Sequence, residues 1–254
     1  MNDWKMVPAG DLQQSEASRC WSLRRECGLI STAMHSFTWG MVKSYFALWH
    51  RLRIEAAEHL PAEPPFVMAA NHSSHLDALV LGAALSERLR DSVFPLAAGD
   101  VFFSSSIRAI CAAKMLNALP MWRKRCGAHA LADLRHRLLE EPCAFILFPE
   151  GGRSRDGQLM AFKSGIGMLV AETNVPVIPC YIDGAFQALR PGSFVPARFP
   201  IRLQIGSPMR FFEVPNEREG WSTIACRVRD AVEHLREDSL TNPAARTAIA
   251  HPAT

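Results

Sequence analysis

The sequence predicts an α/β fold, a mostly buried sheet flanked by helices, with an amphipathic helical segment ahead of it. Three observations carry this. Two short, unbroken apolar runs, Phe66–Ala70 and Cys143–Phe148, read as strands buried on both faces. Stretches of helical character alternate with such runs along the chain, the order expected when helices cover a sheet. Upstream of the first strand, Ile30, Met34, Phe37, Met41, Tyr45, Leu48 and Leu52 recur at helical spacing.

Residues 1–28 read as a flexible N-terminal region; they contain Asp, Glu and Gln and no apolar h-region, so no secretory leader is expected. The helical segment 29–53 is preceded by Arg24 and Arg25 and closed by Arg51 and Arg53. One greasy face with basic ends suits a helix lying in a lipid headgroup layer, and equally a helix packed on the protein's own core. Ser31, Thr32, His35, Ser36 and Lys43 interrupt the segment, which argues against a span needing about 20 apolar residues. Pro61, Pro64 and Pro65 break the helical pattern before the first strand, which runs straight into Asn71–Asp77. A helix is expected over 78–89, with Ser73 or Ser74 as its N-cap. A strand over 92–98, a helix over 101–116, an extended piece at 118–122 and an amphipathic helix over 128–140 follow. The strand 143–148 opens into a loop over 149–157 that is rich in Gly and charge. Then come a helix over 164–172, strands at 175–182 and 201–205, and a terminal helix over 221–236; residues 238–254 read as a mobile tail. No linker, repeat or low-complexity block divides 29–237, which forms one domain: a helix to residue 53 and an α/β core over 54–237.

Composition narrows the partners. A net charge of +3 over 254 residues gives no footprint for nucleic acid, and none is expected as a partner. Five of the 28 basic residues are Lys and the rest Arg, whose planar forks match phosphate and carboxylate oxygens in pairs. Seven scattered Cys include no C-x-x-C and no zinc-ligand spacing, which points to a reduced protein without disulfides.

Two constellations can carry chemistry. His72 and Asp77 follow the first strand, and ligands of such sheets gather at strand ends. With a helix beginning near Ser74, the Asp77 carboxylate can reach back and accept one imidazole N–H, leaving the other nitrogen to take a proton from a substrate hydroxyl. Asp77 can instead simply serve a helix N-terminus, and His72, His75 and Asp77 together can be read as metal ligands, though no fourth ligand is visible. The second constellation is Phe148–Arg155, where a strand delivers Glu150, Gly151, Gly152, Arg153 and Arg155 into one loop. Glycine lets backbone N–H groups approach an anion, and Arg153 supplies a fork for phosphate. Glu150 can hold an Arg in place or bind a substrate hydroxyl; a charged surface turn has the same composition. Arg123, Lys124 and Arg125 form a further basic cluster.

Taken in order, Asn71–Asp77 and Phe148–Ser154 resemble the motifs of the glycerolipid acyltransferase family that includes 1-acylglycerol-3-phosphate acyltransferases. Ala118–Arg123, Phe162–Gly165 and Val175–Pro179 extend the likeness, which spans residues 40–210. The resemblance implies a mixed sheet wrapped by helices, and His72 as general base with Asp77 as its orienter. It implies that Arg123, Glu150, Gly151, Gly152 and Arg153 hold the acceptor. It implies a lysophospholipid acceptor and an acyl thioester donor, acyl-CoA or acyl-carrier protein, with no cofactor, no metal and no covalent acyl-enzyme. The setting implied is the cytoplasmic face of a membrane, occupied peripherally or monotopically, in phospholipid biosynthesis. Three departures touch the acceptor side: Gly152 where the family often has Thr, Met121-Trp122-Arg123 where an acid usually precedes the Arg, and Ala97–Asp100 where many members carry Lys. They keep another lysophospholipid, a lyso-aminolipid, or a non-catalytic lipid-binding role open.

Overall fold

The computed structural model describes residues 29–90, 92–98, 119–121, 128–193 and 195–241. In chain order its elements are α1 (Leu29–Trp49), β1 (Arg53–Glu55), β2 (Phe66–Ala70), α2 (Asp77–Ala84), α3 (Glu87–Arg90), β3 (Val93–Ala98) and β4 (Leu119–Met121). There follow α4 (Ala128–Glu140), β5 (Ala144–Leu147), α5 (Gly165–Val170), β6 (Val177–Asp183), α6 (Ala185–Ala188), β7 (Arg202–Ile205) and α7 (Arg218–Thr241). The strands form one sheet in the order β1-β7-β6-β2-β5-β3-β4. All neighbours are parallel except β6 and β7, which pair antiparallel, so the sheet is mixed as expected.

The two apolar runs sit at the centre. β2 lies between β5 and β6 and is buried at every position, which is why its sequence shows no polar alternation. One face of the sheet packs Phe46 of α1, Val80 and Leu81 of α2 and Ala185 of α6 against Met68, Ile146 and Ile178. The other packs Leu138 of α4, Ile166 and Leu169 of α5 and Ile224 and Val228 of α7 against Val67, Phe145 and Val177. Because β2 and β5 are parallel neighbours in register, Phe66 opposite Ala144, their carboxyl ends open side by side and place Asn71–Asp77 against Phe148–Arg155.

Several expectations are corrected. The single helix over 78–89 is two, because Leu85 adopts an extended backbone between α2 and α3. No serine caps α2: Leu76 is the N-cap residue and makes no side-chain cap bond. The short β1 and α6 have no apolar period of their own and were not anticipated. The terminal helix runs to Thr241, so residues 238–241, expected as the start of a mobile tail, are helical. Arg202 donates through Nη2 to the Ser239 carbonyl at 3.1 Å and to its hydroxyl at 2.6 Å, pinning the last helical turn to the sheet edge. The expectations for 1–28, 101–116 and 242–254 lie outside the described residues.

Helix α1 packs one face on the protein's own core, the second of its two expected placements, and leaves other apolar residues exposed. Trp39, Val42 and Phe46, spaced for one face, turn toward the core, and Gly82 of α2 lets the Trp39 indole approach to within 2.2 Å of where a Cβ would stand. Of the stripe singled out by period, Phe37 (70%), Leu48 (76%) and Met41 are exposed, whereas Leu52 packs partly buried against the core. His50 fixes the end of the helix: its Nδ1–H donates to the Phe199 carbonyl at 2.9 Å, so Nε2 accepts the Tyr45 hydroxyl at 3.0 Å. Among the described residues no helix is long and apolar enough to cross a membrane.

Helices α5 and α7 touch at Gly167, where an added Cβ would lie 2.3 Å from the Trp221 Cα and 2.5 Å from its carbonyl oxygen. Main chain cannot yield as a side chain can. Gly167→Ala is therefore expected to lower unfolding free energy by about 1–3 kcal/mol, read as a shift in the urea midpoint.

Candidate active site

The site is built where β2 and β5 end. Asp77, the first residue of α2, is fully buried and turns its carboxylate back over the preceding loop. Its Oδ2 accepts three bonds: Nδ1–H of His72 at 2.8 Å, the Ser73 N–H at 2.7 Å and the Ser74 N–H at 2.8 Å. Two backbone donors are thus satisfied by the same oxygen that orients the imidazole. With Nδ1 as donor, His72 Nε2 carries a lone pair. The His72 side chain is 21% exposed, enough for a substrate group to reach it. The ring stacks on Phe148 with centroids 4.2 Å apart and planes inclined by 19°, which removes its freedom to rotate away.

The two loops are laced together through His72 itself. Its N–H donates to Glu150 Oε1 at 2.9 Å, and its carbonyl accepts the Ser154 N–H at 2.7 Å. Asn71 ties the same segment to β6: its Nδ2–H donates to the Ile182 carbonyl at 3.0 Å and its Oδ1 accepts the Ile182 N–H at 2.8 Å. Ser74, expected as a cap, donates its hydroxyl to the Leu189 carbonyl at 2.9 Å instead. Four contacts from two segments, the head of α2 and the 148–154 loop, therefore hold one histidine.

Glu150 faces inward and is 5% exposed. Burial pushes its carboxyl up to about 7, against the opposing pull of the His72 and Met160 N–H groups; the Asp77 charge pushes the same way as burial, and Arg229 opposes it. Its second oxygen, Oε2, is buried without a hydrogen-bond partner among the described residues. Gly151 adopts a φ of 73°, a conformation that glycine alone enters without strain. Half-buried Arg153 holds a buried Nη1 that has no hydrogen-bond partner among the described residues. His75 is solvent-exposed as a residue, yet partial desolvation of its ring, with the positive fields of Arg153 and His72, lowers its affinity for a proton, partly countered by Asp77.

The structure thus brings together His72, Asp77, Glu150, Gly151, Gly152 and Arg153, while Arg123 lies outside the described residues. Among the described residues no three His, Cys, Asp or Glu side chains are placed to share a metal ion, so the reading of His72, His75 and Asp77 as a ligand set gains no support. Asn71, Phe148 and Ser154 hold His72 but carried no role in the sequence reading. Asn71 and Phe148 each adjoin a strand's last residue, the one signal that could have marked them.

The model of the acyltransferase family matches residues 51–183, just over half of the chain, and includes every described residue of this site. The chain belongs to the acyltransferase family. It is 30% identical over 131 residues to 1-acyl-sn-glycerol-3-phosphate acyltransferase alpha of Mus musculus, covering 51% of this chain and 44% of that protein. It is 29% identical over 162 residues to the chloroplastic 1-acyl-sn-glycerol-3-phosphate acyltransferase LPAT1 of Arabidopsis thaliana, covering 61% and 42%. The chain spans about half the length of the curated relatives it matches. The crystal structure of the 1-acyl-sn-glycerophosphate (LPA) acyltransferase PlsC from Thermotoga maritima superposes with a TM-score of 0.64 at 22% identity, over 84% of this chain and 82% of that one. This acyltransferase-family domain therefore shares its mixed, helix-wrapped sheet with that structure.

Glu150 sets a stability prediction. Its carboxyl is raised in the folded state, so the stability it contributes is present below its unfolded pKa and is lost as pH rises toward about 7. Glu150→Gln keeps an acceptor for the His72 N–H and removes the titration. The variant is expected to gain on the parent between pH 5 and pH 8, measured by urea midpoints at both; parallel profiles would contradict it.

Proposed function

We propose that this chain transfers a fatty acyl group from a thioester, acyl-CoA or acyl-carrier protein, to a free hydroxyl of a lysophospholipid, with 1-acylglycerol-3-phosphate as the leading acceptor. The observation that carries the reading is the His72–Asp77 pair, 2.8 Å between Nδ1 and Oδ2, with Nε2 left as a base. The acceptor hydroxyl donates its proton to Nε2 as its oxygen attacks the thioester carbonyl carbon. The tetrahedral oxyanion collapses, the C–S bond breaks, and the imidazolium returns the proton to the departing sulfur. Buried Asp77 stabilises the transient imidazolium, as an orienting carboxylate does in other acyl transfers. No cofactor enters these steps. The unpartnered Nη1 of Arg153 and the Gly151–Gly152 backbone supply the acceptor's anion site.

The same reading sets the chain on a membrane surface. The exposed Phe37, Met41 and Leu48 stripe ends at half-exposed Trp49, which carries the Arg198 guanidinium 5.8 Å from its ring centre, with exposed Arg51 and Arg53 beyond. An apolar face bordered by Trp and Arg suits the headgroup layer, and a peripheral station on the cytoplasmic face is proposed.

The chemistry is tested with a lysolipid panel, labelled acyl-CoA and acyl-carrier protein, scored by product mass. His72→Ala is expected to cut transfer about 10²-fold to 10⁴-fold while the thermal midpoint holds; undiminished transfer would sink the mechanism. Arg153→Ala is expected to act chiefly through the acceptor KM. The surface is tested with Phe37→Ser/Leu48→Ser, which should weaken co-sedimentation with anionic phospholipid vesicles without moving the thermal midpoint.

A further inference from the structure

Lys163 had no assigned role, yet its position is tightly set. Its main-chain N–H donates to the Pro149 carbonyl at 2.9 Å, strapping residue 163 across the start of the Glu150–Arg153 loop. Its side chain then runs over Gly151: a Cβ added there would meet Nζ at 2.5 Å, Cε at 2.7 Å and Cδ at 3.0 Å. Gly151 is thus demanded twice, by its φ of 73° and by the space its missing side chain leaves for this lysine. Lys163 is exposed, and among the described residues no carboxylate pairs with its ammonium. Two residues beyond Gly151, Arg153 holds a buried Nη1 that also lacks a partner.

Asp156, further along the loop, is taken by the Ser154 hydroxyl and the Gln158 N–H, and no described carboxylate forms an ion pair with Arg153 or Lys163, so these two cations are poised for a ligand bearing two negative charges. Glu150, beside Gly151 in the chain, is turned inward onto the His72 N–H and drawn toward neutrality, so it does not cancel them. A phosphate monoester, with a second pKa of about 6, is largely dianionic at neutral pH, whereas a phosphodiester carries one charge.

We propose that Lys163 is the second cation of the acceptor-phosphate site and makes the site selective for a phosphomonoester headgroup over a phosphodiester. The proposal rests on the acyl-transfer reading and names the acceptor class of that same site. Arg153 holds the phosphate through a directed fork, and Lys163, a compact charge on a flexible stem, answers the second charge that only the monoester has.

The test compares Lys163→Gln and Lys163→Arg with the parent on lysophosphatidate and on lysophosphatidylglycerol, and measures glycerol 3-phosphate binding by calorimetry. Lys163→Gln is expected to raise the lysophosphatidate KM about 10-fold to 100-fold, the range of a charge-assisted hydrogen bond, with less than about 3-fold change for the diester. Lys163→Arg should restore most of the monoester affinity. Glycerol 3-phosphate binding should weaken in step with KM. Equal effects on both acceptors, or no effect on either, would overturn the proposal. If the parent transfers no acyl group but binds glycerol 3-phosphate in a Lys163-dependent way, the acyl-transfer reading fails and the subsite stands. If glycerol 3-phosphate binds equally with and without Lys163, the subsite fails, whatever the transfer activity.

Discussion

One oxygen atom organises this molecule's site. Asp77 Oδ2 accepts the His72 imidazole and two backbone N–H groups in a fully buried pocket at the head of α2. The backbone donors make the loop's path depend on the carboxylate, and the imidazole's tautomer depends on it too. Removing the acid would leave two buried N–H groups and a ring unsatisfied together, a cost larger than that of any one bond. The sheet serves this arrangement. Parallel pairing of β2 and β5 brings the Glu150 loop alongside, so that the His72 N–H and carbonyl are both engaged from the second strand.

The central strands and the His72–Asp77 pairing were legible in the sequence because each follows from a local rule. An unbroken apolar run of five residues needs burial on both sides, and an acid in a first helical turn can reach the loop before it. What was illegible depended on partners distant in sequence. Asn71 binds Ile182 and Ser74 binds Leu189, more than a hundred residues away, so nothing in 71–77 alone distinguishes a cap from a cross-link. The extended Leu85 that divides α2 from α3 carries no Gly or Pro, and helix propensity gives no hint of the break. Ser239 looks like the start of a polar tail until Arg202, itself held in the sheet, is seen to bind it.

Helix α1 shows why period alone could not choose between membrane and core. A helix with apolar residues on one stripe must bury that stripe, but Leu29–Trp49 is apolar on two. The line Trp39, Val42, Phe46 docks on α2 and the sheet, held further by the Lys43 ammonium on the Leu85 carbonyl at 3.2 Å and by Arg90 stacked 5.1 Å from the Trp39 ring centre. The line Phe37, Met41, Leu48 is left in contact with solvent. Docking one face rigidly is what gives the other a fixed orientation relative to His72, because α1 packs on α2 and α2 begins at Asp77.

The charge pattern of the Glu150 loop follows from the same geometry. A carboxylate on a surface turn between Gly and Arg would normally pair with a neighbouring guanidinium and silence it. Here Glu150 is drawn inward by the His72 N–H, and desolvation then favours its neutral form. The acid that would have occupied Arg153 is spent on positioning the base. Arg153 and Lys163 are left without a described carboxylate paired to them beside the Gly151 backbone, and in the proposed reading an entering anion would complete the electrostatics of the loop. Such an anion would act on Glu150 as well, since added negative charge nearby disfavours its ionised form further. The two halves of the site, the proposed base and the proposed anion cradle, are therefore joined through one buried carboxyl, whose Oε1 touches the main chain of His72 while its own backbone leads directly into Gly151.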